Sequence, residues 1–157
     1  MTLEERKRLA ELLNQTHEST RALVDGADLN LQVYETSGWR IRDILGHIAT
    51  WDRQTVKSLS AYQSGADYFI SSHDEDDFNE MEARRWGALS SQKVVDEWER
   101  ARKEFTAAVE QVSTDLYPGD LMYPWGDERG TIAHLVELMV EHEIEHRDDI
   151  AAVLRVG

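Results

Sequence analysis

Two histidines, His142 and His146, stand four residues apart near the C-terminal end of the sequence, in His142-Glu143-Ile144-Glu145-His146. On a helix each residue turns about 100°, so both rings leave the same side, one turn apart. Leu135, Leu138, Met139 and Val153 share that stripe and turn the pair inward. Two imidazoles side by side in an apolar setting cannot both carry a proton cheaply, but together they can hold one borderline cation. The same pair could instead be bonded to buried acids. His142-Glu143-Ile144-Glu145-His146 also reads as HExxH, the zinc signature of many metalloproteases. That reading is set aside, because it needs a third ligand well downstream and no His, Asp or Glu follows Asp149. Glu143 lies about 100° round the helix from His142, beside the inward stripe.

A third ligand is therefore expected from upstream, and His47 is the candidate. It sits mid-helix in Asp43-Ile44-Leu45-Gly46-His47-Ile48-Ala49-Thr50-Trp51-Asp52, at the edge of an apolar face, with Gly46 removing bulk beside it. Three imidazoles leave a fourth position open, the pattern of a catalytic rather than a structural ion. The remaining histidines fit this set poorly. His17 and His73 fall in polar surroundings, and His134 lies about 80° round the helix from His142.

The sequence contains no Cys, which excludes disulfides, thiolate zinc ligands and a protein-borne thiol nucleophile. If the chemistry uses sulfur, the thiol must arrive as a cosubstrate. No Ser-His-Asp or phosphate-loop pattern competes. A divalent ion at such a site would otherwise activate water for hydrolysis or polarise a carbonyl.

Long helices must position these residues. Only two prolines occur, Pro118 and Pro124, both in one loop. The periodicity predicts a helix from Thr2 to Val24, started by the capping-box pair Thr2 and Glu5 and ended by Asp25-Gly26. A second is expected from Ser37 as N-cap to Ser64-Gly65, with Ile41, Ile44, Leu45, Ile48, Trp51 and Leu59 on one face. A short helix is expected around Phe78 to Trp86. A third long helix should follow Ser90, carrying Val94, Trp98, Ala101, Phe105, Val109 and Val112. The loop from Ser113 to Gly130 holds Tyr117, Tyr123 and Trp125, which should fold over one end of the helices, chiefly as a cap on the core. A fourth long helix should run from Thr131 to about Leu154. No segment alternates like a strand. Residues 1–157 are thus expected to form one all-α domain, a four-helix bundle with a long crossover that allows an up-down-down-up order.

The net charge of −14 disfavours nucleic acid and anionic lipid as partners. The charged, amphipathic N-terminus and the absence of any apolar run near 18 residues leave the cytoplasm as the expected location.

The segments Trp39-Arg40-Ile41-Arg42-Asp43-Ile44-Leu45-Gly46-His47-Ile48 with Trp51-Asp52, Asp77-Phe78-Asn79, and Thr131 through Ile150 together resemble the DinB/YfiT-like metalloprotein superfamily. The resemblance spans essentially the whole chain. It implies a four-helix bundle with one divalent ion, zinc or nickel, on His47, His142 and His146, and a homodimer. It also implies a small-molecule substrate. Several relatives transfer a low-molecular-weight thiol such as bacillithiol, mycothiol or glutathione to an electrophile, or isomerise with its help. Others are regarded as hydrolases. The leading expectation is a metal-dependent thiol S-transferase; the alternatives are a metal-dependent hydrolase and a non-catalytic metal-binding stress protein. No residue is assigned a catalytic role. Where many relatives have Gly-Gln after the His-Arg of the last helix, this chain has Asp148-Asp149. Asp149 lies about 20° from His142 round the helix. It is expected to orient His146, to act as a weak fourth ligand or to favour a cationic substrate. Trp51 and Trp125 are candidate pocket residues.

Overall fold

The Thr2 hydroxyl accepts a hydrogen bond from the Glu5 backbone N–H at 3.0 Å, so the first helix starts where the capping-box residues place it. The computed structural model describes residues 1–156. Its helices are α1 (Leu3–Val24), α2 (Ile41–Gln63), α3 (Glu75–Gly87), α4 (Ser91–Glu110) and α5 (Ile132–Val156). Ser90 caps α4 by accepting from the Lys93 N–H, and the Thr131 hydroxyl accepts from the His134 N–H at the start of α5.

Two local expectations need correction. Ser37 does not cap α2. Its hydroxyl accepts from the Trp39 N–H in a turn where Gly38 takes a φ of +73°, a conformation that costs glycine no Cβ clash. The chain then folds back on residues 29–33, with Ile41 N–H on the Leu31 carbonyl and Val33 N–H on the Trp39 carbonyl. The helix starts at Ile41, where the Asp43 carboxylate accepts from the Arg40 N–H at 2.9 Å. The second correction is a small antiparallel hairpin inside the 113–130 loop, β1 (Leu121–Met122) with β2 (Arg129–Gly130). Two residues per strand are too few to show alternation.

Side-chain bonds between helices fix the directions of the bundle. Arg6 reaches the Val112 carbonyl and His17 reaches Glu99, so α1 and α4 run antiparallel. Arg8 pairs with Glu137 and Thr20 with Glu143, so α1 and α5 run parallel. Arg42 bonds Ser91, Asp52 bonds Arg102 and Gln63 bonds the Ser113 N–H, so α2 and α4 run parallel. In chain order the long helices therefore go up, down, down, up, with α3 in the crossover. Trp86 anchors α3. It is fully buried, its indole N–H donates to the Thr50 hydroxyl at 2.8 Å, and its ring occupies the space a Cβ at Gly46 would need, 2.6 Å from the Trp86 Cγ. Gly46 thus makes room for Trp86, and not, as expected, simply for His47.

The apolar core falls into two clusters. One gathers Leu9, Leu13, Phe105, Val109, Ile132 and Leu135; the other gathers Ile41, Ile44, Leu45, Trp86, Val94 and Trp98. In each long helix the boundary between them carries a polar residue: Thr20, Asp52, Arg102 and Glu143. Arg102 donates to both Asp52 oxygens at 2.9 and 3.2 Å and to Glu143 at 2.6 Å. Thr20 donates to the second Glu143 oxygen at 2.8 Å. The three charged side chains are at most 2% exposed, so the pairing is obligatory. Among the described residues no helix is long and apolar enough to cross a membrane.

Candidate metal centre

His47 projects from the middle of α2, and His142 and His146 project from successive turns of the antiparallel α5. One ring nitrogen of each lies within 4.8 Å of the others. The Nε2 atoms of His142 and His146 are 2.9 Å apart, and the His47 ring centre is 5.2 and 5.3 Å from theirs. Trp39 packs against His47, ring centres 4.9 Å apart. Burial and the neighbouring imidazoles hold His47 down to about 3, and burial followed by His142 holds His146 down to about 4. Burial lowers His142 as well. The three rings are therefore neutral near pH 7, the protonation state a metal requires of imidazole.

Tyr34, from the loop before α2, was not anticipated. Its hydroxyl is 2.6 Å from Asp149 Oδ2 and 2.7 Å from His146 Nδ1. A carboxylate only accepts, so the phenol donates to Asp149 and accepts from His146 Nδ1–H. This assigns the proton to Nδ1 and leaves the Nε2 lone pair of His146 facing the other two rings. Burial and Asp149 push the Tyr34 phenol well above its usual range, which keeps it a donor. Asp149 is exposed and reaches His146 only through Tyr34; the group of mutually close ligand atoms comprises the three imidazoles without it. No periodicity links Tyr34 to α5, so no sequence pattern points to it.

The other histidines lie elsewhere. His73 and His134 are exposed. His17, expected in polar surroundings, is buried instead, 4.2 Å from the Trp98 ring centre, with Nε2 on Glu99 at 3.0 Å. Glu143, the acid of the HExxH pattern, is committed to Arg102 and Thr20 and is not free to act as a base. The signal for this buried layer was present. Asp52 is four residues after Ile48 and Arg102 is four after Trp98, so each carries a charge on an apolar stripe.

Beside His47 and His142 opens a cavity of about 420 Å³. Trp51, Trp125, Leu138 and Met139 form its apolar walls, and Glu75, Asn79 and Glu128 its polar ones. The Trp51 indole donates to Asn79 at 2.9 Å and the Trp125 indole to Glu128 at 3.1 Å, so both aromatic rings are held by an edge. The 113–130 loop therefore does more than cap the core. Tyr123 is buried beneath it and Trp125 faces the cavity, while Tyr117, expected to avoid water, is 72% exposed.

Residues 9–151 match the family model described as the mycothiol maleylpyruvate isomerase N-terminal domain. The fold is similar to the crystal structure of the mycothiol-dependent maleylpyruvate isomerase, with a TM-score of 0.74 at 18% identity over 96% of this chain. This chain spans 61% of the length of that one. No curated protein sequence matches.

Proposed function

The chain belongs to the mycothiol maleylpyruvate isomerase N-terminal domain family, one of the DinB/YfiT-like four-helix bundles, and we propose that it is a thiol-dependent enzyme acting on a small electrophile at an ion held by His47, His142 and His146. The observation that carries this reading is the convergence of three neutral imidazoles at the edge of a cavity large enough for a small molecule. The donor set fits a divalent ion such as zinc or nickel, because three nitrogens converge from two helices and one of the rings has its tautomer fixed from behind. An ion bound there supplies a Lewis acid that lowers the pKa of an incoming thiol or polarises the electrophile's carbonyl.

The chain's own residues do the rest. The Asp52–Arg102–Glu143 layer ties α2 to α5 next to the ligands, since Asp52 is five residues from His47 and Glu143 adjoins His142. Tyr34 and Asp149 aim His146. Trp51, Leu138 and Met139 keep one wall of the cavity apolar. With no Cys in the chain, the sulfur comes from a small thiol. Its transfer to the electrophile, or its reversible addition during an isomerisation, is the chemistry to test.

The test is metal analysis of the purified protein followed by electrophile consumption with a panel of low-molecular-weight thiols. Turnover should require both a thiol and the ion, and should vanish in His47→Ala. Turnover that is equal without any thiol would favour the hydrolase reading. A protein purified without metal, which also fails to take it up, would refute the site.

A further inference from the structure

We propose that the cavity beside the three histidines takes a substrate with a positively charged group on an apolar body and disfavours a carboxylate. The inference rests on the reading that this cavity is the substrate site. Among the described residues no Lys or Arg lines it, so a carboxylate substrate such as maleylpyruvate would find no guanidinium fork or ammonium there. The two charged side chains in its walls are both acidic, Glu75 at the start of α3 and Glu128 in the hairpin turn. Asp76 beside Glu75 and Asp127 beside Glu128 add further acidic groups at this end, and burial, followed by Asp76 and Asp127, raises the Glu75 carboxyl.

The remaining walls suit a cation equally well. Trp51 and Trp125 line the cavity with their N–H groups already donated to Asn79 and Glu128, and an indole ring attracts an alkylammonium. Leu138 and Met139 accept an apolar body. The chain's −14 charge steers cations toward it. An ion on the imidazoles would bring its own positive charge, but that charge belongs to the α2–α5 side of the cavity, where it would draw the thiol. Glu75 and Glu128 lie on the α3 and hairpin walls and are left to meet the other reactant.

Three probes with one body separate the charge types: 4-phenylbutylamine, 4-phenylbutan-1-ol and 4-phenylbutanoate. Binding to the 157-residue protein as purified is followed by calorimetry at neutral pH without thiol. The amine should bind about tenfold more tightly than the alcohol, the combined scale of a partly exposed ion pair and one cation–π contact. The butanoate should bind most weakly. In Glu75→Gln/Glu128→Gln the amine's advantage should shrink to less than about twofold. The Gln amide oxygen still accepts from Trp125, and an unchanged melting temperature confirms the fold. No detectable amine binding, equal binding of amine and alcohol, tighter binding of the butanoate, or an advantage that survives the double substitution would each overturn the proposal. Because no thiol or turnover enters the measurement, its failure leaves the thiol-dependent reading standing, and failure of that reading leaves this one to be judged on its own.

Discussion

Replacing Tyr34 by Phe removes a single oxygen from the ring that steadies His146. The benzene ring keeps its place near the imidazole, 5.9 Å between centres, so packing is preserved and only the relay is cut. What disappears is the 2.7 Å acceptor for His146 Nδ1–H and the 2.6 Å donor to Asp149. Without that acceptor the proton redistributes between the two nitrogens, and the tautomer with a free Nε2 is no longer imposed. Outer partners of this kind change metal affinity by about 10–100-fold. Tyr34 is only half-buried, so water can replace part of what the phenol did, and the loss should fall near the lower end, about tenfold or ~1.4 kcal/mol. Competition for zinc against a chromophoric chelator at pH 7.5 measures it. Asp149→Asn keeps a neutral acceptor for the phenol and should cost less. The double variant should resemble Tyr34→Phe alone, because both changes act through one hydrogen-bonded chain. Wild-type affinity in a folded Tyr34→Phe protein would refute the argument.

Gly46→Ala drives a methyl to 2.6 Å from the Trp86 Cγ, so urea unfolding should show a loss of about 1–3 kcal/mol; unchanged stability would mean that α3 is not wedged as described. Arg102→Met strands the buried Asp52 and Glu143 carboxylates and should destabilise the fold by ~3–5 kcal/mol at neutral pH, again by urea unfolding, with a loss below about 1 kcal/mol contradicting the layer's role. The folded state holds His47 near 3 and His146 near 4, against 6.5 for a free imidazole. Their contribution to the metal-free protein's stability is thus complete above about pH 6.5 and is lost as the pH falls toward 4 and then 3. Chelator-treated protein melted across that range should show this decline, and a flat profile, or a decline that is unchanged in His47→Ala, would contradict it. The homodimer implied by family resemblance predicts a light-scattering mass of twice the 18.1 kDa chain, and the monomer mass would remove it.

The parts of the fold that could be read from the sequence are those governed by local periodicity. The four long stripes and the inward-facing pair His142 and His146 follow from a 3.6-residue repeat, and the start of α1 from the capping-box spacing of Thr2 and Glu5. His47 follows from what a two-ligand half-site lacks. The parts that escaped depend on contacts distant in sequence. Tyr34 meets His146 across 112 positions, and Glu75 and Glu128 share a cavity only because Trp86 seats α3 on α2. The start of α2 was misplaced because a serine that suits a helix cap suits a tight turn equally well, and the backbone pairing of residues 29–33 with 39–42 decided for the turn. Arg102 carries a signal of its own, since a cation on a clean apolar stripe requires buried acids opposite it.

The buried layer formed by Thr20, Asp52, Arg102 and Glu143 also serves as an index mark for assembly. Leucines and valines interdigitate about as well after a helix slides one turn, roughly 5.4 Å, past its neighbour. A guanidinium does not tolerate such a slip. Displacing α4 by a turn would carry Arg102 out of reach of both carboxylates and leave three charges in hydrocarbon. Each long helix contributes one residue to the layer, so a single plane sets the axial position of all four at once. Residues that must meet across α2 and α5 thereby inherit an alignment that apolar packing alone would leave degenerate, which allows the rest of the core to vary its side chains without detuning the site.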